Sequence, residues 1–249
     1  MKLILLGATG NSGRRIVKYA LQRDHQVTAF VRDHNKLLEM WGGRLPEDLH
    51  VIAGDIGKPT ELGTAMTGHD VVINAAGHVT QGNLFTGLVR AVIDQTMNSL
   101  GAGSRLWQFG GAAVLDIPGT NLMAVDLPMF PKVYEAHRTN LDALRKSALD
   151  WSMLCPGPMI DAPNGRPMKG LRLSVDQWPV QPPAYTRLLP KAALALAFRQ
   201  KVPELTISYE DAADVILGNL DRNGRFSRKR VGIALPVGRR HVKVDVPGR

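Results

Sequence analysis

Gly7, Gly10 and Gly13 punctuate the stretch GATGNSG, and glycine at every third position is a spacing with chemical meaning. The pyrophosphate of a dinucleotide can be cradled by backbone N–H groups at a helix start, provided that no side chain intervenes. Gly7 then permits a tight turn, Gly10 lets the backbone approach the diphosphate, and Gly13 lets the next helix pack close to the preceding strand. Thr9 and Asn11 line the same loop and are expected to donate hydrogen bonds. A second position concerns which dinucleotide is bound. The run VTAFVRD places Arg32 where NAD-binding proteins carry an acid against the ribose hydroxyls. A guanidinium there pairs with a 2′-phosphate, so NADP(H) is expected in preference to NAD(H), and Arg14 supplies a second cation. Asp33 stands one residue further on, and a register shift of one would restore the acid.

These residues need a scaffold that puts a strand before the loop and a helix after it. Short runs rich in Val, Ile and Leu alternate with segments of helical spacing, the pattern of a parallel sheet covered by helices. Strands are expected at 2–6, 26–31, 49–53, 70–74, 105–109 and 151–154, with helices most evident at 13–23, 84–100 and 133–148. In the last of these, Leu141, Leu144 and Ala148 form one apolar stripe. The fold class expected is α/β, a Rossmann-type doubly wound parallel sheet, with a small proline-rich substrate cap in the C-terminal part.

From Pro156 to Pro190 prolines interrupt any regular period, and residues 157–190 are assigned to that cap. Order returns at 205–208, with a helix near 211–220 and a last strand near 230–234. Residues 1–236 thus read as one domain, followed by a basic tail at 237–249.

Composition narrows the classes. The chain has 249 residues, 44% hydrophobic and 21% charged, which fits a globular protein and contains no run long enough for a bilayer span. The short apolar start lacks the features of a secretory signal, so a cytoplasmic location is expected. Cys155, the single cysteine, excludes an internal disulfide and a cysteine-rich metal site, and reads as a buried strand residue. The net charge of +9 is concentrated from Arg222 onward. A solvated tail accounts for it, and nucleic acid is the disfavoured partner.

Further motifs resemble a known superfamily. Gly54-Asp55 after the third strand and NAAG at 74–77 after the fourth, taken with the glycine loop, resemble the short-chain dehydrogenase/reductases. LDALRKSALDWSMLCPGPM at 141–159 and ISYEDAADVIL at 207–217 resemble its atypical NAD(P)H-binding branch, which includes biliverdin reductase B and bacterial flavin reductases. The resemblance implies that Asp55 and Ile56 lie beside the adenine. It also implies that Ala75, Ala76 and Gly77 pass the ribose and pyrophosphate, and that Pro156 and Gly157 turn the chain toward the nicotinamide. A loop-capping carboxylate is the alternative for Asp55.

The departures bear on chemistry. Members of the superfamily with a Ser-Tyr-Lys triad have the Tyr and Lys four apart on the helix before the sixth strand. Here FGGAAVL puts Gly110 or Gly111 at the serine's place. Tyr134 and Arg138 have the four-residue spacing, whereas counting back from Ser147 puts His137 at the lysine's place and Val133 at the tyrosine's. Both registers cannot hold, so His137, Tyr134 and Arg138 all stand as catalytic candidates.

Reducing a simple ketone needs an acid to protonate the alkoxide, whereas a flavin or quinone delocalises the charge it receives. The expected reaction is therefore hydride transfer from NADPH to a planar small-molecule acceptor, with Trp178, Met159, Met168 and Tyr185 as an apolar wall. A non-catalytic NADP(H)-binding redox sensor is the rival, and a sugar-nucleotide epimerase or dehydratase is third. A homodimer stays open, because the long helices of this fold pair subunits in relatives.

Overall fold

The alternation of apolar runs and helical segments builds a doubly wound sheet. The structure, a computed structural model, describes residues 1–128, 130–180 and 190–241. The strands are β1 (Lys2–Leu6), β2 (Gln26–Val31), β3 (Leu49–Ala53), β4 (Val71–Asn74), β5 (Arg105–Phe109), β6 (Asp150–Cys155), β7 (Met159–Ile160), β8 (Arg172–Val175), β9 (Ile207–Ser208) and β10 (Lys229–Ala234). The helices are α1 (Asn11–Leu21), α2 (His34–Met40), α3 (Pro59–Met66), α4 (Asn83–Leu100), α5 (Glu135–Lys146), α6 (Lys191–Leu205) and α7 (Tyr209–Leu217).

The main sheet has the order β3-β2-β1-β4-β5-β6-β10-β8. Its order reverses between β1 and β4, and a crevice for ligands opens beyond the carboxyl ends of the strands at such a point. The pairing of Leu6 with Asn74 puts the two loops that leave these strands side by side.

Because β-strand side chains alternate between faces, each strand feeds two cores. Leu3 and Leu5 pack with Ile16, Val17 and Ala20 of α1 and with Ala212 and Ile216 of α7. Ile4 and Leu6 pack with Leu62, Val89, Leu141 and Leu144 of α3, α4 and α5. Burial of Gly13, Ile16, Val17 and Ala20 is the apolar stripe that makes α1 a surface helix rather than a buried one. No helix among the described residues is long and apolar enough to cross a membrane.

After Pro156 the structure differs from the sequence-based expectation. The segment assigned to a substrate cap enters the fold itself. Met159 and Ile160 pair with β9, and Arg172–Val175 forms an edge strand antiparallel to β10, so the main sheet is mixed. Buried Arg230 fixes this corner, pairing with Asp116 at 2.8 Å and Asp176 at 3.2 Å and donating to the Val114 carbonyl at 2.6 Å. Prolines in the segment hid a four-residue strand whose partner lies nearly sixty positions away, roughly the sequence separation that local patterns cannot report. The α6 helix also went unread, because its sequence KAALALAFRQKVPEL has apolar residues on every side and a proline within. Pro182, Pro183, Tyr185 and the tail from 242 onward lie outside the described residues.

Candidate functional site

The glycine loop sits on the β1 side of the reversal, and its three glycines have different physical reasons. Gly7 has φ +83°, and a Cβ there would lie 2.7 Å from backbone atoms of Ala75 and Ala76. A Cβ on Gly13 would run into the carbonyl of Gly7, 2.8 Å from its carbon, so glycine is what lets α1 seat on the turn. Gly10 is different. Its φ of −79° is ordinary, and the nearest atom to a Cβ is the Gly7 oxygen at 3.3 Å, so neither backbone strain nor packing demands glycine.

Gly10 is also the N-cap of α1. No side chain caps that helix, and no acid stands in its first turn. Its leading N–H groups and the positive end of its dipole are thus available to a phosphate. Thr9 and Asn11 flank them, and the Asn11 amide donates to the Tyr209 hydroxyl at 3.4 Å.

Buried Asn74 shapes the neighbouring loop, donating to Gln108 Oε1 at 2.8 Å while its own oxygen accepts from the Ala76 N–H at 3.0 Å. Ala75 and Ala76 are thereby drawn against Gly7. Gly77 has φ +88°, and a Cβ there would meet the Phe85 ring at 2.6 Å. At the end of β3, Asp55 accepts from Gly57 N–H at 2.8 Å, which is the loop-capping role, and Ile56 rests half-buried on the core.

The residues expected to choose between NAD and NADP sort themselves. Asp33 is the N-cap of α2, its carboxylate accepting from Lys36 N–H at 3.0 Å. Arg32 is exposed beside it. Arg14 is 43% exposed and 4.0 Å from Asp161, while the adjacent Arg15 is taken up by Asp161 and by Glu210 at 3.1 Å.

Beyond β5 and β6 the candidate catalytic residues separate. Tyr134 lies on a single turn of 3-10 helix, Lys132–Tyr134, that precedes α5. Arg138 is engaged by Asp126 and by Glu135 at 3.1 Å. His137 is 93% buried by its 7% exposure, stacked on Tyr134 at 6.1 Å between centroids and edge-on to Phe85 at 5.7 Å. Its Nδ1 is buried with no hydrogen-bond partner among the described residues. Burial, helped by the nearby His78, pushes its pKa down to about 4, so the ring is neutral at physiological pH.

Pro156 is buried, its carbonyl accepting from the Ala112 N–H at 2.8 Å, and a Cβ on Gly157 would lie 2.7 Å from the carbonyl of Leu205 at the end of α6. Cys155 is buried as expected, and burial pushes its thiol up to about 12, which makes it inert as a nucleophile.

The apolar wall read from the sequence does not assemble. Trp178 is buried in the core beneath α4 and α5, its ring tilted by 39° against Phe198 at 4.5 Å, whereas Met159 and Met168 pack against the core beneath α1 and α7. They lie on opposite faces of the sheet, and Tyr185 lies outside the described residues. In their place, a run of neighbouring rings passes from Phe85 through His137 and Tyr134 to Phe130 and Phe198, with centroid spacings of 5.3 Å from Phe130 to Tyr134 and 5.7 Å from Phe130 to Phe198. Sequence reasoning missed Phe85 and His78; only their nearness to NAAG could have pointed to them.

A doubly wound sheet with an uncapped helix start at its switch point defines a Rossmann-fold nucleotide-binding protein. The chain belongs to the NAD(P)H-binding family, whose model matches residues 7–172. It is 31% identical over 170 residues to the uncharacterized protein YwnB of Bacillus subtilis (strain 168), covering 65% of this chain and 74% of that protein. It is 38% identical over 78 residues to the photosystem II assembly factor Ycf39 of Cyanophora paradoxa, spanning 30% of this chain and 22% of that protein. Among solved structures, a Streptococcus pneumoniae TIGR4 protein proposed as an NADH-flavin reductase aligns with TM-score 0.69 and 26% identity, covering 94% of this chain and 99% of that one. The fold and these relatives place the chain in an atypical NAD(P)H-binding Rossmann-fold family related to short-chain dehydrogenase/reductases and flavin-reductase-like proteins.

Proposed function

We propose that this protein is an NADPH-dependent oxidoreductase that passes hydride to a planar, redox-active acceptor of the flavin or quinone type. The observation that carries the reading is the pairing of a glycine at the serine's place with a buried, neutral histidine beside it. That pairing offers position and a hydrogen bond but no proton at pH 7. When bound, the reduced nicotinamide would supply the hydride, its C4–H bond breaking as the acceptor gains two electrons and one hydrogen, with a further proton drawn from water.

The chain's residues have distinct parts. The first-turn amides of α1, reached across Gly7, Gly10 and Gly13 and flanked by Thr9 and Asn11, hold the diphosphate. Arg32 and Arg14 pair with a 2′-phosphate, which gives NADPH preference over NADH, and Asp33 does not compete because it caps α2. Asp55 and Ile56 border the adenine, while Ala75, Ala76 and Gly77 pass the ribose and diphosphate. Pro156 and Gly157 close the nicotinamide end. His137 and Tyr134 face the acceptor, and Arg138, held by Asp126, positions the start of α5. Among the described residues after Pro156, those around β8 contribute to acceptor selection. The similarity to the Streptococcus pneumoniae protein, whose description names NADH and flavin, supports the flavin-type acceptor but not the choice of NADPH.

The test is NADPH oxidation followed at its nicotinamide absorbance, with a flavin, a quinone and dichlorophenol-indophenol in turn. Steady oxidation with at least one acceptor is expected. A second reading, an NADP(H)-binding sensor without turnover, draws on the likeness to a protein named as an assembly factor. Tight binding with no oxidation across the panel would favour it.

A further inference from the structure

We infer that His137 is the hydrogen-bonding group that meets a polar atom of the acceptor, and that it stands where it does because Gly111 yields the volume a side chain there would fill. The inference deepens the hydride-transfer reading above and rests on it.

Gly111 has no conformational need to be glycine. Its φ of −151° and ψ of 154° are extended backbone that any residue adopts. What a side chain would meet is the imidazole, since a Cβ on Gly111 lies 2.9 Å from both Cδ2 and Nε2 of His137. Gly110, the other position considered for the serine, would instead meet the side chain of Met153 at 2.8 Å. The ring therefore occupies the space that a side chain at residue 111 would enter. Residues 111 and 137 are two ways of filling one volume, and this chain uses the second.

The ring is also well held. Tyr134 stacks on one face at an interplanar angle of 26°, and Phe85 abuts it at 89°. Phe85 is itself the ring against which Gly77 packs, so His137 stands one aromatic ring away from the loop that passes the cofactor. Buried polar atoms are nearly always paired, and the enclosed Nδ1 of His137 has no partner among the described residues, which leaves the ring's hydrogen-bonding capacity unspent on the protein. A neutral imidazole offers one N–H and one lone pair, and thus suits an acceptor that carries a carbonyl oxygen or a ring nitrogen. It polarises such a group without giving up a proton.

Four variants and three readouts test this in the intact protein: His137→Phe, His137→Gln, Gly111→Ser, and the double variant Gly111→Ser with His137→Ala. NADPH affinity by nicotinamide fluorescence should stay within about 2-fold of wild type in all four, since none touches the diphosphate site. With the best acceptor, His137→Phe should lower kcat/KM about 10-fold or more through the lost hydrogen bond. His137→Gln, which keeps a polar end, should recover part of it. Gly111→Ser should melt at a lower temperature because its side chain meets the ring. The double variant should regain the melting temperature and part of the turnover.

Wild-type turnover in His137→Phe, or a double variant no better than Gly111→Ser, would overturn the pairing. A wild-type protein that binds NADPH but reduces no acceptor would overturn the hydride-transfer reading, and this inference with it.

Discussion

At the glycine loop the groups offered to a ligand are backbone, whereas around His137, the acceptor end proposed above, they are side chains. Gly7 and Gly13 are required because main-chain atoms approach closer than any Cβ permits, and α1 presents its first amides uncapped. Across the sheet's reversal, Gly111 is required only by a neighbouring ring, and the arrangement of His137, Tyr134 and Phe85 is one of packed aromatic groups. A backbone cradle tolerates little variation in sequence and holds one chemical group. A side-chain site can be refilled, so one scaffold can host different reactions.

The comparison can be broken at its most rigid point first. Gly13→Ala forces a Cβ into the Gly7 carbonyl, and the expected loss is about 3 kcal/mol or more in stability, read by chemical denaturation. A near-wild-type midpoint would mean that the backbone at this end is not so tightly fitted.

The next effect tests the acceptor end through acid. An unfolded chain protonates His137 near the ordinary value of 6.5, while the native ring resists until about 4. Stability attached to this residue is thus present above pH 6.5 and is lost as the pH falls toward 4, by about 3 kcal/mol in all. Burial lowers His25 and His69 in the same direction, so the slope should shrink rather than vanish in His137→Phe. Denaturation curves at several pH values measure the difference, and identical slopes in the two proteins would contradict the buried, neutral ring.

A charge reversal sharpens the contrast at the cofactor end. Arg32→Glu should weaken NADPH by about 10-fold or more and leave NADH little changed, as expected for the loss of a charge-assisted contact to phosphate. Equal effects on both nucleotides would remove Arg32 from the 2′-phosphate site. The smallest expected change is in Asp33→Ala, which removes the cap of α2 and should cost about 1 kcal/mol in stability without altering nucleotide preference. A gain of NADPH preference in that variant would show Asp33 facing the ribose after all.

The same division governs how much the sequence disclosed. Glycine spacing between a strand and a helix reports backbone geometry directly, so the loop was legible, as were strands β1 to β6 from their apolar runs. The short edge strand β8, a helix with apolar residues on every side, and a buried Arg230 reaching two distant aspartates depend on partners far away in the chain. The two registers for α5 illustrate the limit. Counting residues placed Tyr134, His137 and Arg138 within one turn, but only packing shows that Asp126 takes Arg138 while His137 turns inward against Gly111. Met159, Met168 and Trp178 looked like one wall because periodicity within a proline-rich run does not say which face of the sheet each residue reaches.

Gly10 offers the most direct test of the account, because its backbone is unstrained, a Cβ there presses only slightly on the Gly7 oxygen at 3.3 Å, and a longer side chain would stand where the diphosphate must come. Titration of the purified wild-type protein with NADPH, followed by nicotinamide fluorescence, should saturate. Gly10→Glu, melting at the wild-type temperature, should give no saturable signal. Wild-type binding by that variant, or none by the wild-type protein, would contradict the reading of this loop as a diphosphate cradle.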